Sequence, residues 1–160
     1  MRRLLVISVL LLIAGTASGQ IWHLAGSHPK DYEAGGDPNV SHGTENCGFI
    51  ESTASEIEGF GTLMTSIPQD KYLGKNIRLS AYVKTENVKD WVGLWMRVDA
   101  GMESVSFDNM GDRPITGSSD WENYEIVLDV PEHSTNISYG IILAGTGKAW
   151  VDGLHLEKID

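Results

Sequence analysis

The sequence predicts an all-β fold, an antiparallel sandwich of two sheets. Apolar residues recur at every second position in roughly eight short stretches, which is the period of a strand with one buried face. These stretches lie roughly 10 to 15 residues apart, with glycine or proline between them, as in β-sandwiches. The connections are too short for crossover helices, so neighbouring strands are expected to pair antiparallel.

Length and charge limit the class of protein. The chain has 160 residues, which is enough for one main domain with its own core. It carries 22 Asp and Glu against 12 Lys and Arg, a formal net charge of -10. A nucleic-acid partner is therefore not expected, because no basic stripe is present to displace counterions from a phosphate backbone.

The first 19 residues have the pattern of a secretory signal peptide. Arg2 and Arg3 precede an apolar run over 4–14, and small residues including Ala17 and Gly19 follow. Eleven apolar residues are too short to cross a bilayer core as a helix. The pattern predicts a signal peptide over 1–19, a single β-sandwich domain over 20–160, and a secreted or periplasmic location. No stable membrane insertion is expected after cleavage; an uncleaved anchor is the alternative.

The strands are expected in a simple order along the rest of the chain. An opening strand precedes a turn-rich segment over 27–43, and a second strand precedes a loop over 54–59. From Phe60 onward the alternation is clearest. The expected strands are 22–26, 47–53, a strand beginning near 60, 77–84, 91–98, 104–108, 124–130, 137–144 and 149–157.

The strand around residue 95 suggests a binding surface. Val92, Leu94 and Met96 would fill the core, so Trp95 and Arg97 would face outward beside Trp91 and Gly93. Aromatic rings cover the apolar face of a sugar, and charged groups bond its hydroxyls. With Tyr82 and Asp108 from neighbouring strands, this face predicts a carbohydrate groove, with Gly93, Gly140 and Ser138 leaving a hollow. The alternative is that the tryptophans pack as a second small core; if Trp95 is instead a stacking platform, Trp95→Ala should abolish binding and leave the melting temperature nearly unchanged.

The segment 107–115 is dense in polar residues for a connection between strands. Asp108, Asn109, Asp112 and Arg113 would line one rim of the groove, or Asp112 and Arg113 would pair to hold the loop.

Neither a catalytic site nor a zinc site is expected. Cys47 is the only cysteine, so no disulfide can form within the chain, and a buried, inert thiol is expected. The five histidines lack zinc-site spacing, and no carboxylate pair, nucleophile motif or phosphate loop stands out. A structural Ca²⁺ is a hypothesis: Asp31, Glu33 and Asp37 of the early loop would bind it together with Asp152. The alternative is that the Asp152 carboxylate is satisfied by hydrogen bonds alone.

Several segments carry a family resemblance. They are 59–64, 74–84, 93–99, 107–110, 112–115, 120–121, 124–131 and 150–152. These resemble an uncharacterised bacterial family of sandwich domains that also occur appended to helix-turn-helix regulators. More distantly, their order is similar to galactose-binding-like jelly rolls and carbohydrate-binding modules. The resemblance implies a jelly roll and a Ca²⁺ ligand at Asp152.

The residues and the resemblance together predict a secreted or periplasmic module that binds and does not catalyse. The expected ligand is a carbohydrate or another small polyhydroxylated molecule. Tyr82 and Trp95 are expected to stack on it, and Arg97 and Asp108 to hydrogen-bond it. The alternative function is a structural or protein-interaction module of the cell envelope that uses the same aromatic face.

Overall fold

The computed structural model describes residues 20–43 and 47–160, and this part of the chain is almost entirely β-structure. Its one helical element is a 3-10 turn at Pro29–Asp31. The nine strands are β1 (His23–Gly26), β2 (Tyr32–Asp37), β3 (Cys47–Ser52), β4 (Phe60–Ile67), β5 (Lys75–Ala100), β6 (Glu103–Asp108), β7 (Ile115–Val130), β8 (Asn136–Ala144) and β9 (Lys148–Lys158). The predicted signal segment, 1–19, lies outside the described residues.

The strands form two sheets that share the long strand β5. The first sheet has the order β2-β3-β9-β5-β7 and uses the first half of β5; the second has the order β1-β4-β8-β5-β6 and uses the second half. Every strand pairing in the described residues is antiparallel. The predicted antiparallel two-sheet sandwich is confirmed.

Strand β5 changes sheets at a bend. Its register with β7 shifts three times between Val83 and Val92. Within the bend Asn87 has a φ of 52°, in the left-handed region that asparagine tolerates better than most residues. Because irregular pairing sharpens the bend, one continuous strand supplies the two stretches that the alternating pattern predicted separately, 77–84 and 91–98.

The core lies between the two sheets. Strand β5 contributes buried residues from both of its halves, Ile77 and Leu79 from the first and Val92, Leu94 and Met96 from the second. Other strands close the core from both sides, and its further members include Ile50, Leu63, Ile126, Ile137, Tyr139, Ile141, Leu143 and Val151. Burial of alternate residues fixes which side chains point outward on each strand, and therefore which can meet a ligand.

No helix within residues 20–43 and 47–160 is long and apolar enough to cross a membrane.

Candidate functional site

A groove lies on the outer face of the second sheet. Its volume is about 600 Å³, and we call it the aromatic groove. It crosses all five strands of that sheet and the start of the β6–β7 loop. Its lining residues are Ala25, Gly26, Phe60, Thr62, Met64, Trp91, Trp95, Arg97, Phe107, Asn109 and Ile142.

Trp95 forms part of the floor of the aromatic groove. Its indole Nε1 donates a hydrogen bond of 2.7 Å to Thr62 Oγ1, which in turn donates one of 2.8 Å to the Ile141 carbonyl. Because β8 lies between β5 and β4, the indole reaches across β8 along the sheet surface. Trp95 is only 8% exposed. The expected outward direction of Trp95 agrees with the structure, but the ring contributes to stability as well as to the groove surface.

Arg97 lies on the same outward face of β5, two residues further on. Its Nε lies 2.8 Å from Asp99 Oδ1, and its Nη2 donates to Asp99 Oδ2 at 3.2 Å. The Arg97 side chain is 45% exposed, whereas that of Asp99 is 16% exposed. A carboxylate that binds two guanidinium nitrogens in this way fixes the plane of the group. Arg97 is therefore a hydrogen-bond donor at the groove that is accessible to a ligand and whose orientation is fixed by Asp99.

Two residues that the sequence patterns missed give the groove its aromatic surface. Phe107 is paired with Arg97 in the β5–β6 ladder and is 53% exposed, and Phe60 lies on β4. Directly opposite residues of paired strands point to the same side of a sheet. The position of Phe107 opposite an outward-facing arginine is the signal that would have found it.

Asp108 points away from the groove. It pairs with Met96, a fully buried core residue, so its side chain starts on the inner side of the sheet edge. There Arg113 Nη2 donates to Asp108 Oδ2 at 2.7 Å, and the Met110 N–H donates to Oδ1 at 2.8 Å. Burial opposes ionisation, but these hydrogen bonds outweigh it and lower the pKa of the Asp108 carboxyl. Asp108 thus holds the loop, and Arg113 also pairs with Asp112 at 2.7 Å.

The same loop fills the hollow expected over Gly93. A Cβ at Gly93 would lie 2.7 Å from the Asn109 carbonyl oxygen and 3.1 Å from the Met110 Cβ. Met110 is fully buried with a φ of 61°, and its Sδ accepts the Leu94 N–H at 3.3 Å. The segment therefore covers Gly93 of β5, and the groove lies beside it, where Asn109, Phe107 and Trp91 are among the lining residues.

Tyr82 lies on the other sheet and is not part of the aromatic groove. It belongs to the first half of β5, where it pairs with Asn123 and Asp152. Its ring is 4.1 Å from that of His42, which is 5.6 Å from that of Trp121. Of the four expected contact residues, the structure brings together Trp95 and Arg97, while Asp108 and Tyr82 lie elsewhere.

Asp152 is a buried, hydrogen-bonded carboxylate. It is 4% exposed, and its carboxylate accepts the N–H groups of His42 and Gly153. The Asp37 carboxylate accepts the indole N–H of Trp150 at 2.9 Å, which lowers its pKa. In the described part of the chain no three His, Cys, Asp or Glu side chains converge as a metal site would require. Ca²⁺ takes six to eight oxygens, and the structural Ca²⁺ at Asp152 stays a prediction.

Cys47 is an inert thiol. It is 1% exposed, and its Sγ donates to the Val40 carbonyl at 2.8 Å. Burial, with added repulsion from Asp37 and Asp152, raises the pKa of the thiol to about 11. Because the thiolate is the reactive form, this raised pKa makes Cys47 a poor nucleophile at neutral pH.

The similarity in sequence is to part of a longer bacterial protein. No protein-family model matches the chain. It is 45% identical over 141 residues to the Uncharacterized HTH-type transcriptional regulator YbfP of Bacillus subtilis (strain 168). This match covers 87% of the chain but only 48% of the regulator, so the chain spans about half the length of that relative.

The similarity in structure is to carbohydrate-binding modules. The CBM22-1 xylan-binding domain of Xyn10C from Paenibacillus barcinonensis matches with a TM-score of 0.61 at 11% identity, over 94% of this chain and 92% of that one. TmCBM61, solved with β-1,4-galactotriose, matches with a TM-score of 0.56 at 16% identity, over 86% and 88%. At these identities the likeness shows the fold alone. The expected resemblance to a regulator-linked domain and to carbohydrate-binding jelly rolls is confirmed.

The hydrogen bond of Trp95 predicts unequal costs for two matched substitutions. Trp95→Phe removes the donor to Thr62 and part of a buried ring, so we expect a loss of about 1–3 kcal/mol in the free energy of unfolding. Trp91→Phe should cost less, because Trp91 is only partly buried and its indole N–H has no hydrogen-bond partner in the described chain. Urea denaturation of both variants measures the difference, and equal costs would contradict the role given to Trp95. For the same reason Trp95→Ala is now expected to lower the melting temperature.

The ion pair of Asp108 and Arg113 predicts a pH-dependent contribution to stability. A lowered carboxyl pKa stabilises the fold above the unfolded pKa of about 3.9, and this stabilisation is lost as the pH falls through the folded pKa. At pH 7, Arg113→Gln should therefore cost up to about 1 kcal/mol, since both side chains are partly exposed. The cost should shrink as the pH falls below about 4.

Chemical denaturation at several pH values measures this dependence. In an Asp108→Asn background, Arg113→Gln should have little further effect at pH 7. A cost that stays constant down to pH 2 would show that Arg113 acts through packing and not through the carboxylate.

Proposed function

We propose that the chain is a non-catalytic module that binds carbohydrate, or another small polyhydroxylated molecule, in the aromatic groove. The observation that carries the proposal is the pairing of Phe107 with Arg97 at the groove. This pairing places an exposed ring beside an accessible guanidinium that Asp99 keeps in one orientation, and both side chains belong to residues that line the aromatic groove.

The groove has the two kinds of contact that a sugar needs. The ring of Phe107 and the partly exposed ring of Trp91 would cover the C–H face of a pyranose. Arg97 and Asn109, which also line the groove, would bond its hydroxyls. Polar donors set into a largely apolar cleft are typical of small-molecule sites, where a few hydrogen bonds fix the ligand's orientation.

The comparisons support a binding role without naming the ligand. One structural neighbour is described as a xylan-binding domain and another was solved with a galactotriose, so this fold accommodates different sugars. The match to half of a regulator fits a ligand-binding domain that is joined to different partners. We infer a binding role and no catalysis for this chain, since neither the groove nor the buried Cys47 offers an activated nucleophile.

Replacing one exposed ring tests the proposal. Phe107→Ala should weaken binding of oligosaccharides by about tenfold, equivalent to about 1.4 kcal/mol, because it removes an interface aromatic. Tyr82→Ala is the control, since Tyr82 is 37% exposed but lies on the opposite sheet. Titration calorimetry of residues 20–160 and of the two variants with xylan and galactan fragments gives the affinities.

Two results would count against the proposal. A loss of binding in Tyr82→Ala alone would move the site to the first sheet. If no oligosaccharide in a broad panel binds, and the chain forms oligomers that Phe107→Ala disrupts, the aromatic groove is a protein-interaction surface.

We further propose that the module acts outside the cytoplasm. The support is the sequence pattern over 1–19, with its two arginines, short apolar run and small residues. Expression of the full chain with a C-terminal tag in a bacterial host should give a shortened product in the periplasm or medium. Its N-terminal residue, read by mass spectrometry, should follow Gly19. A full-length product retained in the cytoplasm would contradict this location.

A further inference from the structure

The charge around the aromatic groove differs from that of the rest of the molecule. Arg97 is the one charged residue among those that line the described groove, and no carboxylate lines it. The chain as a whole has 22 acidic against 12 basic residues. The outer face of the first sheet, by contrast, carries Glu33, Glu51 and Glu86 in neighbouring positions of one row with Lys148. An anionic ligand in the groove would therefore meet a guanidinium and no carboxylate among the described lining residues.

Arg97 has a free side for such a ligand. A guanidinium has five N–H donors, and Asp99 takes up the side formed by Nε and Nη2. The Nη1 nitrogen makes no hydrogen bond to any residue in 20–43 or 47–160. The pair of N–H groups shared by Nη1 and Nη2 forms a second fork of the spacing that binds a carboxylate with two parallel hydrogen bonds.

We propose that the aromatic groove selects acidic sugars, and that the free fork of Arg97 binds the carboxylate of a uronic acid unit. This rests on the proposed carbohydrate-binding function and narrows its ligand class. The rings of Phe107 and Trp91 contact the sugar face, as they would for a neutral sugar. The carboxylate adds charge-assisted hydrogen bonds, which are about twice as strong as those between neutral groups.

Asp99 does not cancel this preference. It is more buried than Arg97, and both of its oxygens already accept from the guanidinium. Its effect is to hold the plane of Arg97 so that the free fork stays in one orientation. The overall net charge of -10 acts at long range and is screened over about 8 Å at physiological salt, so binding is best compared at that ionic strength.

Pairs of oligosaccharides that differ only in charge test this proposal. The probes are oligogalacturonate, oligoglucuronate and oligomannuronate, each with its carboxyl-reduced neutral counterpart. We expect at least one acidic oligomer to bind about tenfold more tightly than its neutral counterpart, the difference made by one charge-assisted contact. Titration calorimetry at 0.15 M salt on 20–160 gives both affinities.

Matched arginine variants assign the preference to a residue. Arg97→Gln should abolish the preference for the acidic oligomer while leaving weak binding of the neutral one. Arg97→Lys keeps the charge but not the fork, and should retain only part of the preference. Arg78→Gln is the control, because Arg78 is a similarly exposed arginine in an ion pair on the opposite sheet.

The possible failures are distinguishable. Equal binding of acidic and neutral oligomers, lost in Phe107→Ala, would overturn the acidic-sugar proposal and leave the carbohydrate-binding function standing. A preference that survives Arg97→Gln would also overturn it. Absence of binding by every oligosaccharide would overturn both proposals together.

Discussion

The two sheets of this protein depend on one strand that belongs to both. Strand β5 contributes Ile77 and Leu79 to the core from its first half and Leu94 and Met96 from its second half. Between the halves the chain must turn while keeping its backbone hydrogen bonds, since unpaired buried groups are costly. Three register shifts and the left-handed Asn87 accomplish this turn. The bend therefore sets the angle at which the groove sheet faces its partner.

Local alternation predicts which face of a strand is buried but not which sheet the strand joins. It predicted the strands around 77–84, 91–98, 124–130 and 137–144 and the core residues on them, and the structure agrees. The alternating pattern also predicted that Tyr82 and Trp95 share one surface, and this prediction is wrong. Both residues are outward on β5, but the bend puts them on opposite outer faces of the sandwich. An alternating pattern does not show where one strand passes from one sheet to the other.

Edge strands are the second place where the sequence pattern was insufficient. In β6 Asp108 was expected on the outer face, but the structure has Phe107 exposed there and Asp108 on the inner side. A register shift between Val98 and Asp99 changes the pairing, and Arg113 neutralises the carboxylate on the inner side. Hydrophobicity decides orientation strongly where a strand is covered on one face, and weakly at an edge where a charge can find a partner. For this reason the sequence pattern did not predict that Phe107 forms part of the groove surface.

The groove floor and the fold share the same hydrogen bonds, and this limits where specificity can vary. Trp95 donates a hydrogen bond to Thr62, and Thr62 donates one to the Ile141 carbonyl. The Thr62 hydroxyl therefore links β5, β4 and β8. A change at Trp95 alters stability together with any ligand contact. Phe107, Arg97 and Asn109 lie at the sides of the groove and are more exposed, so they can change at lower cost to the core. If related domains bind different sugars, the physical expectation is a constant floor with variable sides, and in this chain the side residue with the most distinctive chemistry is Arg97.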